Sequence, residues 1–198
     1  MFLQVRPPSY DTSSVGDLRL RGAAAAPWTV HRDGDLAARL GGVATHDWAT
    51  IDRFEIANQP VEGTNYRIVN RNSGKPLAVA DGSTADGALI VQKTDGGAWT
   101  IDAAPGGAYT LKYVSSGKAL DVDGYSSTVG HQLQQWTPSG GTNQQWYLRP
   151  TDDGYFTIVS HDSGLVADVY GWDTGDGAKV VQYTSGGGAN QQWKLVPA

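Results

Sequence analysis

The chain has 198 residues, a formal net charge of -5, 26 glycines and no cysteine. That length suffices for one good core or for a domain with a smaller appendage. The acidic balance speaks against a nucleic-acid footprint, which needs a basic patch; the lack of cysteine excludes a disulfide framework; and no apolar run reaches the length of a membrane span.

The opening residues, MFLQVRPPSY, lack the basic start and long apolar core of a secretory signal. Further along, Asp17 to Leu20, Trp28 to His31 and Ile51 to Ile56 read as short strands with charged alternation, like the end of a larger β-domain. Composition then changes. Eight of nine arginines precede Lys75, the first lysine, whereas 21 of 26 glycines lie at Gly63 or beyond. The shift places a boundary near Asn58 to Glu62. We therefore expect a β-rich N-terminal segment over residues 1–60 and a separate domain over 61–198.

The second region is an internal repeat. Trp99, Trp146 and Trp193 fall 47 residues apart, and the last two close the same four letters, Asn143-Gln144-Gln145-Trp146 and Asn190-Gln191-Gln192-Trp193. A Ser-Gly turn recurs at Ser73-Gly74, Ser116-Gly117 and Ser163-Gly164, each followed by a short apolar run. A glycine opens another run in each unit: GALIVQK from Gly87, GHQLQQW from Gly130 and GAKVVQY from Gly177. Repeats thus span about 63–103, 107–149 and 154–198. The period alone also fits propeller blades and helical solenoids. The contents exclude helices: each unit holds four short runs separated by Gly, Ser, Asp and Asn, with no long 3.6-residue stripe. Three four-stranded units are too few for most propellers but suit a closed barrel, in which no unit could bury its apolar face alone. The expected fold is all-β, a β-trefoil of three repeats. The three tryptophans are expected in its core, one per unit.

These residues resemble the ricin-type lectins, also called family 13 carbohydrate-binding modules, which carry a QxW signature in each of three trefoil lobes. Here the signature reads Gln144-Gln145-Trp146 and Gln191-Gln192-Trp193, preceded by SGKALDV and SGLVADV, and the resemblance runs from about Gly63 to Ala198. The first lobe departs from it. Between Gly87 and Trp99 the chain is four residues shorter than between Gly130 and Trp146, and the deletion removes the Asn-Gln-Gln triplet. The segment from Thr45 to Ile56 is similar to the closing strand of concanavalin-like jelly-roll domains, which often precede trefoil lectin modules in secreted glycosidases. That similarity implies the tail of a longer glycoside hydrolase and an extracellular location.

Sugar recognition needs a carboxylate to accept hydroxyl bonds, an amide pair able to donate and accept, and an aromatic face for the C–H side of the ring. The resemblance implies that Asp121 takes two hydroxyls, Asn143 and Gln144 complete the polar rim, and Trp136 supplies the platform. In the third lobe the same roles fall to Asp168, Asn190, Gln191 and Tyr183. Tyr125, and Tyr170 or Trp172, would wall the two pockets opposite. The first lobe has Ala78 for the Asp and Lys93 for the aromatic, and is expected to be silent. An Asp beside a Gly-rich turn is ordinarily a solvated or capping residue. Here, however, carboxylate, amides and aromatic recur together, and the lobe that lost one lost all. By contrast Trp99 persists in the silent lobe, so the tryptophans read as core; Gln145 and Gln192 read as scaffold.

Other chemistry is poorly supported. Asp121-Val122-Asp123-Gly124 opens like a calcium loop but lacks the third ligand and the closing Glu. His31, His46, His131 and His161 have no metal spacing and read as exposed loop residues. Asp121 and Asp168 belong to separate lobes, unlike the paired carboxylates of a glycosidase. No cofactor or metal is expected. The expected function is non-catalytic binding of oligo- or polysaccharide containing galactose, arabinose or xylose, which directs an attached hydrolase to its polymer. Two alternatives are a hydrolase fragment using Asp47, Asp52 and Glu55, and a protein-binding trefoil such as a protease inhibitor.

Overall fold

The computed structural model describes residues 18–20, 54–56, 60–61, 64–151 and 153–198, with side chains from residue 60 onward. The chain divides into two compact units, Met1–Gln59 and Pro60–Ala198. In the first, β1 (Leu18–Leu20) and β2 (Phe54–Ile56) pair antiparallel, with Arg19 opposite Glu55. The strand expected at Trp28 to His31, the remainder of the jelly-roll segment up to Arg53, and the candidate carboxylates Asp47 and Asp52 lie outside the described residues.

The second unit consists of three lobes of four strands. The first lobe holds β3 (Asn65–Asn70), β4 (Leu77–Val79), β5 (Ile90–Gln92) and β6 (Trp99–Ala103). The second holds β7 (Tyr109–Tyr113), β8 (Ala119–Asp121), β9 (Gln134–Trp136) and β10 (Trp146–Pro150). The third holds β11 (Phe156–Ser160), β12 (Val166–Val169), β13 (Val180–Tyr183) and β14 (Trp193–Pro197). The first and last strands of the lobes pair in the cyclic order β3, β6, β7, β10, β11, β14 and back to β3. This is a closed six-stranded barrel without a free edge. The middle strands form the hairpins β4–β5, β8–β9 and β12–β13. Cyclic backbone bonds join these hairpins: Gly87 N–H donates to Gln135 O, Gly130 N–H to Gln182 O, and Gly177 N–H to Gln92 O. The architecture is the expected β-trefoil.

The three tryptophans open β6, β10 and β14, and all are fully buried. Each indole N–H donates to a carbonyl at its own lobe's hairpin: Trp99 to Leu77, Trp146 to Leu120, Trp193 to Ala167, at 3.0, 3.0 and 3.1 Å. A buried indole keeps its polar edge satisfied in this way while its rings fill the core. The Ser-Gly turns are equally regular. Gly74, Gly117 and Gly164 sit at φ 71°, 67° and 68°, the left-handed conformation that favours glycine.

The serine before each glycine does more than turn the chain. Ser73, Ser116 and Ser163 donate to Oε1 of Gln92, Gln135 and Gln182, all three fully buried. The amide nitrogen of each glutamine then donates to two backbone carbonyls of another lobe: Gln92 to Asp173 and Gly175, Gln135 to Ser83 and Ala85, Gln182 to Ser126 and Thr128. The lobes are thus sewn together by buried, satisfied amides.

Two histidines differ from expectation. His131 and His161 are half-buried instead of exposed. The N–H of His161 donates to Gln145 O at 3.0 Å, which draws its ring onto Tyr147 with 5.3 Å between centroids. His31 and His46 lie outside the described residues.

Candidate functional site

In the second lobe, Asp121 ends β8 and Gln134 begins the facing strand β9, paired across the hairpin. The Asp121 carboxylate is buried and surrounded by amides. Its Oδ1 accepts from Gln134 Nε2 at 2.8 Å, and its Oδ2 from Asn143 Nδ2 at 2.8 Å and Gln144 Nε2 at 3.0 Å. Asn143 and Gln144 reach it from a 3₁₀ turn, Thr142–Gln144, just before the core tryptophan. Each of these two amides uses a second N–H on the backbone, Asn143 to Val122 O and Gln144 to Thr137 O. Asn143 Oδ1 is buried with no partner among the described residues. Trp136 and Tyr125 stand exposed beside this cluster, at 43% and 57%.

The third lobe repeats the arrangement with one substitution of consequence. Asp168 Oδ2 accepts from Asn190 Nδ2 at 3.0 Å and Gln191 Nε2 at 2.8 Å. Opposite Asp168 stands Val181, where the second lobe has Gln134. Among the described residues, no side chain donates to Asp168 Oδ1. Tyr170, Trp172 and Tyr183 are all exposed, and Tyr170 meets Tyr183 edge-on with centroids 6.4 Å apart. The two sites thus share a carboxylate, an Asn-Gln pair and aromatics, but the third is more aromatic and its carboxylate is freer.

The first lobe has no such cluster. Ala78 is buried opposite Val91, and the shortened connection to Trp99 lies against neighbouring side chains. A Cβ on Gly97 would overlap the Tyr113 ring, and one on Gly96 would stand 2.8 Å from the Pro76 side chain. Side chains in the position of the missing amides have no room. Lys93 instead pairs with Asp95 at 3.2 Å.

The loop after each of these positions has the same left-handed backbone in all three lobes and differs in the side chain held there. Four residues after Ala78, Asp121 and Asp168 come Gly82, Tyr125 and Trp172, at φ 62°, 56° and 58°. The residue before is left-handed as well, and there the pattern reverses: the first lobe has Asp81 at φ 56° where the other two have Gly124 and Gly171. Each lobe thus holds one non-glycine residue in this conformation, an Asp in the first and a bulky aromatic in the second and third, at a cost of order 1–3 kcal/mol. In the second and third lobes the side chain so held is exposed, so core packing does not offset the strain there. Tyr125→Gly and Trp172→Gly should accordingly hold or slightly raise the melting temperature while weakening ligand binding. Thermal melting with titration checks this; a fall of several degrees would show that the aromatics stabilise the fold.

Burial pushes the Asp121 and Asp168 carboxyls above their usual range, against the opposing effect of their amide donors. For Asp121 the nearby carboxylates Asp123 and Asp86 add to the rise. Elsewhere two aspartates are held low. Lys118 and Thr137 bond Asp86, and Lys75 and Thr94 hold Asp176 down at about 2. Among the described residues, no group of three or more His, Cys, Asp or Glu side chains is placed to hold a metal ion.

The sequence reading missed Gln134 and the sewing glutamines Gln92, Gln135 and Gln182. A signal was present: GALIVQK, GHQLQQW and GAKVVQY share one glutamine in all three lobes, a recurrence independent of the pocket. Gln145 and Gln192 donate within their own lobes, to Gly140 O and Gly187 O.

A family model described as "Ricin-type beta-trefoil lectin domain-like" matches residues 3–93, 48–136, 95–183 and 153–198. Among solved structures, the designed threefold-symmetric protein ThreeFoil is 44% identical with a TM-score of 0.66, the match covering 68% of this chain and 99% of that one. An exo-β-1,3-galactanase from Clostridium thermocellum is 42% identical with a TM-score of 0.67, covering 71% of this chain but only 31% of the enzyme. The Rhizoctonia solani agglutinin, 21% identical with a TM-score of 0.63, shares the fold over 71% of this chain and 99% of its own. No curated protein matches the chain.

Proposed function

The chain belongs to the ricin-type β-trefoil lectin-like family, and from that premise we propose that it binds galactose-, arabinose- or xylose-containing glycans, without catalysis, through the pockets of its second and third lobes. The observation that carries this reading is the joint recurrence of Asp121 and Asp168 with an Asn-Gln pair and exposed aromatics, and the joint absence of all of them from the first lobe. In each pocket the carboxylate accepts sugar hydroxyls, the Asn-Gln pair completes the polar rim, and Trp136 or Tyr183 stacks on the apolar face of the ring. Tyr125 closes the second pocket, and Tyr170 with Trp172 the third. Attached to an enzyme, such a module would hold it on polysaccharide outside the cell. The likeness to part of a galactanase supports that arrangement.

A glycan array read at neutral and at acid pH tests the proposal. Hits are expected among galactose-, arabinose- or xylose-bearing glycans at neutral pH. The ionised carboxylate accepts hydroxyl bonds more strongly than the protonated acid, so binding should weaken as pH drops through the raised values of Asp121 and Asp168. Folding responds with the opposite sign. The stability linked to these two groups is fully present below the ordinary carboxylate value of 3.8 and is lost as pH rises through their folded values. Binding should therefore weaken in acid without loss of stability through these two groups, whereas the lowered Asp86 and Asp176 give up theirs only as pH falls through their own folded values. An array without hits at neutral pH, together with capture of a protein ligand, would overturn the proposal in favour of a protein-binding trefoil.

A further inference from the structure

The pocketless first lobe grips the loop that carries the third lobe's aromatics. That loop, Tyr170 to Asp176, follows β12 and includes Trp172 in its left-handed conformation. A strained aromatic keeps such a conformation only where its surroundings over-determine it. Within its own lobe the loop is held by Tyr170 N–H to Lys179 O at 3.0 Å, Asp173 N–H to Tyr170 O at 3.4 Å and Gly175 N–H to Asp173 Oδ1 at 2.7 Å. The first lobe adds bonds along its whole length. Asn72 Nδ2 donates to the carbonyl of Trp172 itself at 3.4 Å, and Gln92 Nε2 to Asp173 O at 2.8 Å and Gly175 O at 3.1 Å. At the far end Asp176 Oδ1 accepts from Thr94 N–H at 3.0 Å, Thr94 Oγ1 at 2.8 Å and Lys75 Nζ at 2.7 Å. Gln92 cannot turn away, because its Oε1 is fixed by Ser73 Oγ at 2.6 Å and the side chain is fully buried.

The second pocket's loop is held differently. Gln182 of the third lobe donates to Ser126 O and Thr128 O, but the residue just before the repeat glycine, Asp176 in the third lobe, is Val129 in the second, so no ionic latch forms there. The first lobe's own loop has that latch, Asp86 with Lys118 and Thr137, but carries no aromatic to position. Amide, latch and aromatic coincide only in the grip of the first lobe on the third.

Resting on the reading that the third-lobe pocket binds sugar, we propose that the first lobe is its clamp. Gln92, Asn72, Thr94 and Lys75 are positioning residues that preorganise Trp172 for the ligand and leave the second-lobe pocket untouched.

The test uses the full chain in two single-pocket backgrounds, Asp121→Ala and Asp168→Ala, titrated with galactose, arabinose and xylose. Asn72→Ala combined with Asp176→Ala should weaken binding roughly tenfold, through lost preorganisation, where only the third-lobe pocket remains. Where only the second-lobe pocket remains, affinity should change less than about twofold. Gln92→Ala should act in the same direction; because its side chain is fully buried and its loss also costs the fold, the pair at half-buried Asn72 and exposed Asp176 is the deciding variant. A sugar-independent readout runs alongside. With fluorotryptophan in the chain, the ¹⁹F resonance of Trp172, identified by Trp172→Phe, should shift and broaden in the paired variant while that of Trp136 stays put. An unmoved Trp172 resonance, or equal weakening of both pockets, would overturn the clamp. Absence of sugar binding in the unsubstituted chain would instead sink the carbohydrate reading, and the resonance would still decide whether the first lobe positions Trp172.

Discussion

Trp193→Ala is expected to unfold the trefoil, and to abolish ligand binding only as a consequence. The side chain is fully buried at the first residue of β14, where that strand meets both β3 and β11 and closes the barrel. Truncating a buried aromatic costs about 3–5 kcal/mol. Loss of the indole N–H leaves the Ala167 carbonyl without its 3.1 Å partner, which adds about 1–3 kcal/mol in a buried site. Against a total stability of about 5–15 kcal/mol, that is most of what holds a domain together. Thermal melting should show a fall of roughly 10–20 °C or no folded baseline at all. The companion variant Trp136→Ala removes an exposed ring and should melt within a few degrees of the parent while losing affinity. An unchanged melting temperature for Trp193→Ala would mean that core and site had been exchanged.

The distinction between those two tryptophans was legible before any coordinates, because Trp99 recurs in a lobe whose other site residues are gone. Repetition also exposed the fold: units of 47 residues with strand-like runs leave few architectures, and the closed barrel gives each apolar face a partner. What the sequence did not disclose were relations between lobes. That Gln92 of one lobe serves a loop of another depends on how the hairpins meet around the barrel, and no local pattern carries that information. Gln134 was missed for a related reason. Its bond to Asp121 arises from cross-strand register in the β8–β9 hairpin, and only the register shows that Val181 leaves Asp168 less encumbered. The strain at Tyr125 and Trp172 was equally hidden, since a backbone angle is not written in residue identity. The half-burial of His161 likewise followed from a long-range bond to Gln145.

The two carboxylates should be separately dispensable for folding and jointly essential for binding. Asp168→Ala leaves Asn190 and Gln191 with their second N–H bonds, to Val169 O and Thr184 O, so the loss of stability should be modest. Asp121→Ala also strips Gln134 Nε2 of its acceptor and should cost somewhat more, of order 1–3 kcal/mol. It still removes a buried charge whose desolvation was unfavourable, which offsets part of that cost. Binding is affected far more strongly. A single exposed pocket gives affinity near the millimolar level, about -4 kcal/mol. A polymer that reaches both pockets makes the second contact intramolecular and gains a factor of order 10² to 10⁴. Each single variant should therefore forfeit that gain, and the double variant should retain nothing.

The decisive measurement is titration calorimetry of the parent, the two single variants and the double variant with free galactose, arabinose and xylose, paired with affinity electrophoresis in a polysaccharide of the same sugar. For the sugar that binds, the stoichiometry should fall from about two to about one and then to none, with retention in the polymer lost sharply at the first substitution. Undiminished binding by the folded double variant, or a third site appearing at Ala78, would contradict the assignment of the pockets to the second and third lobes.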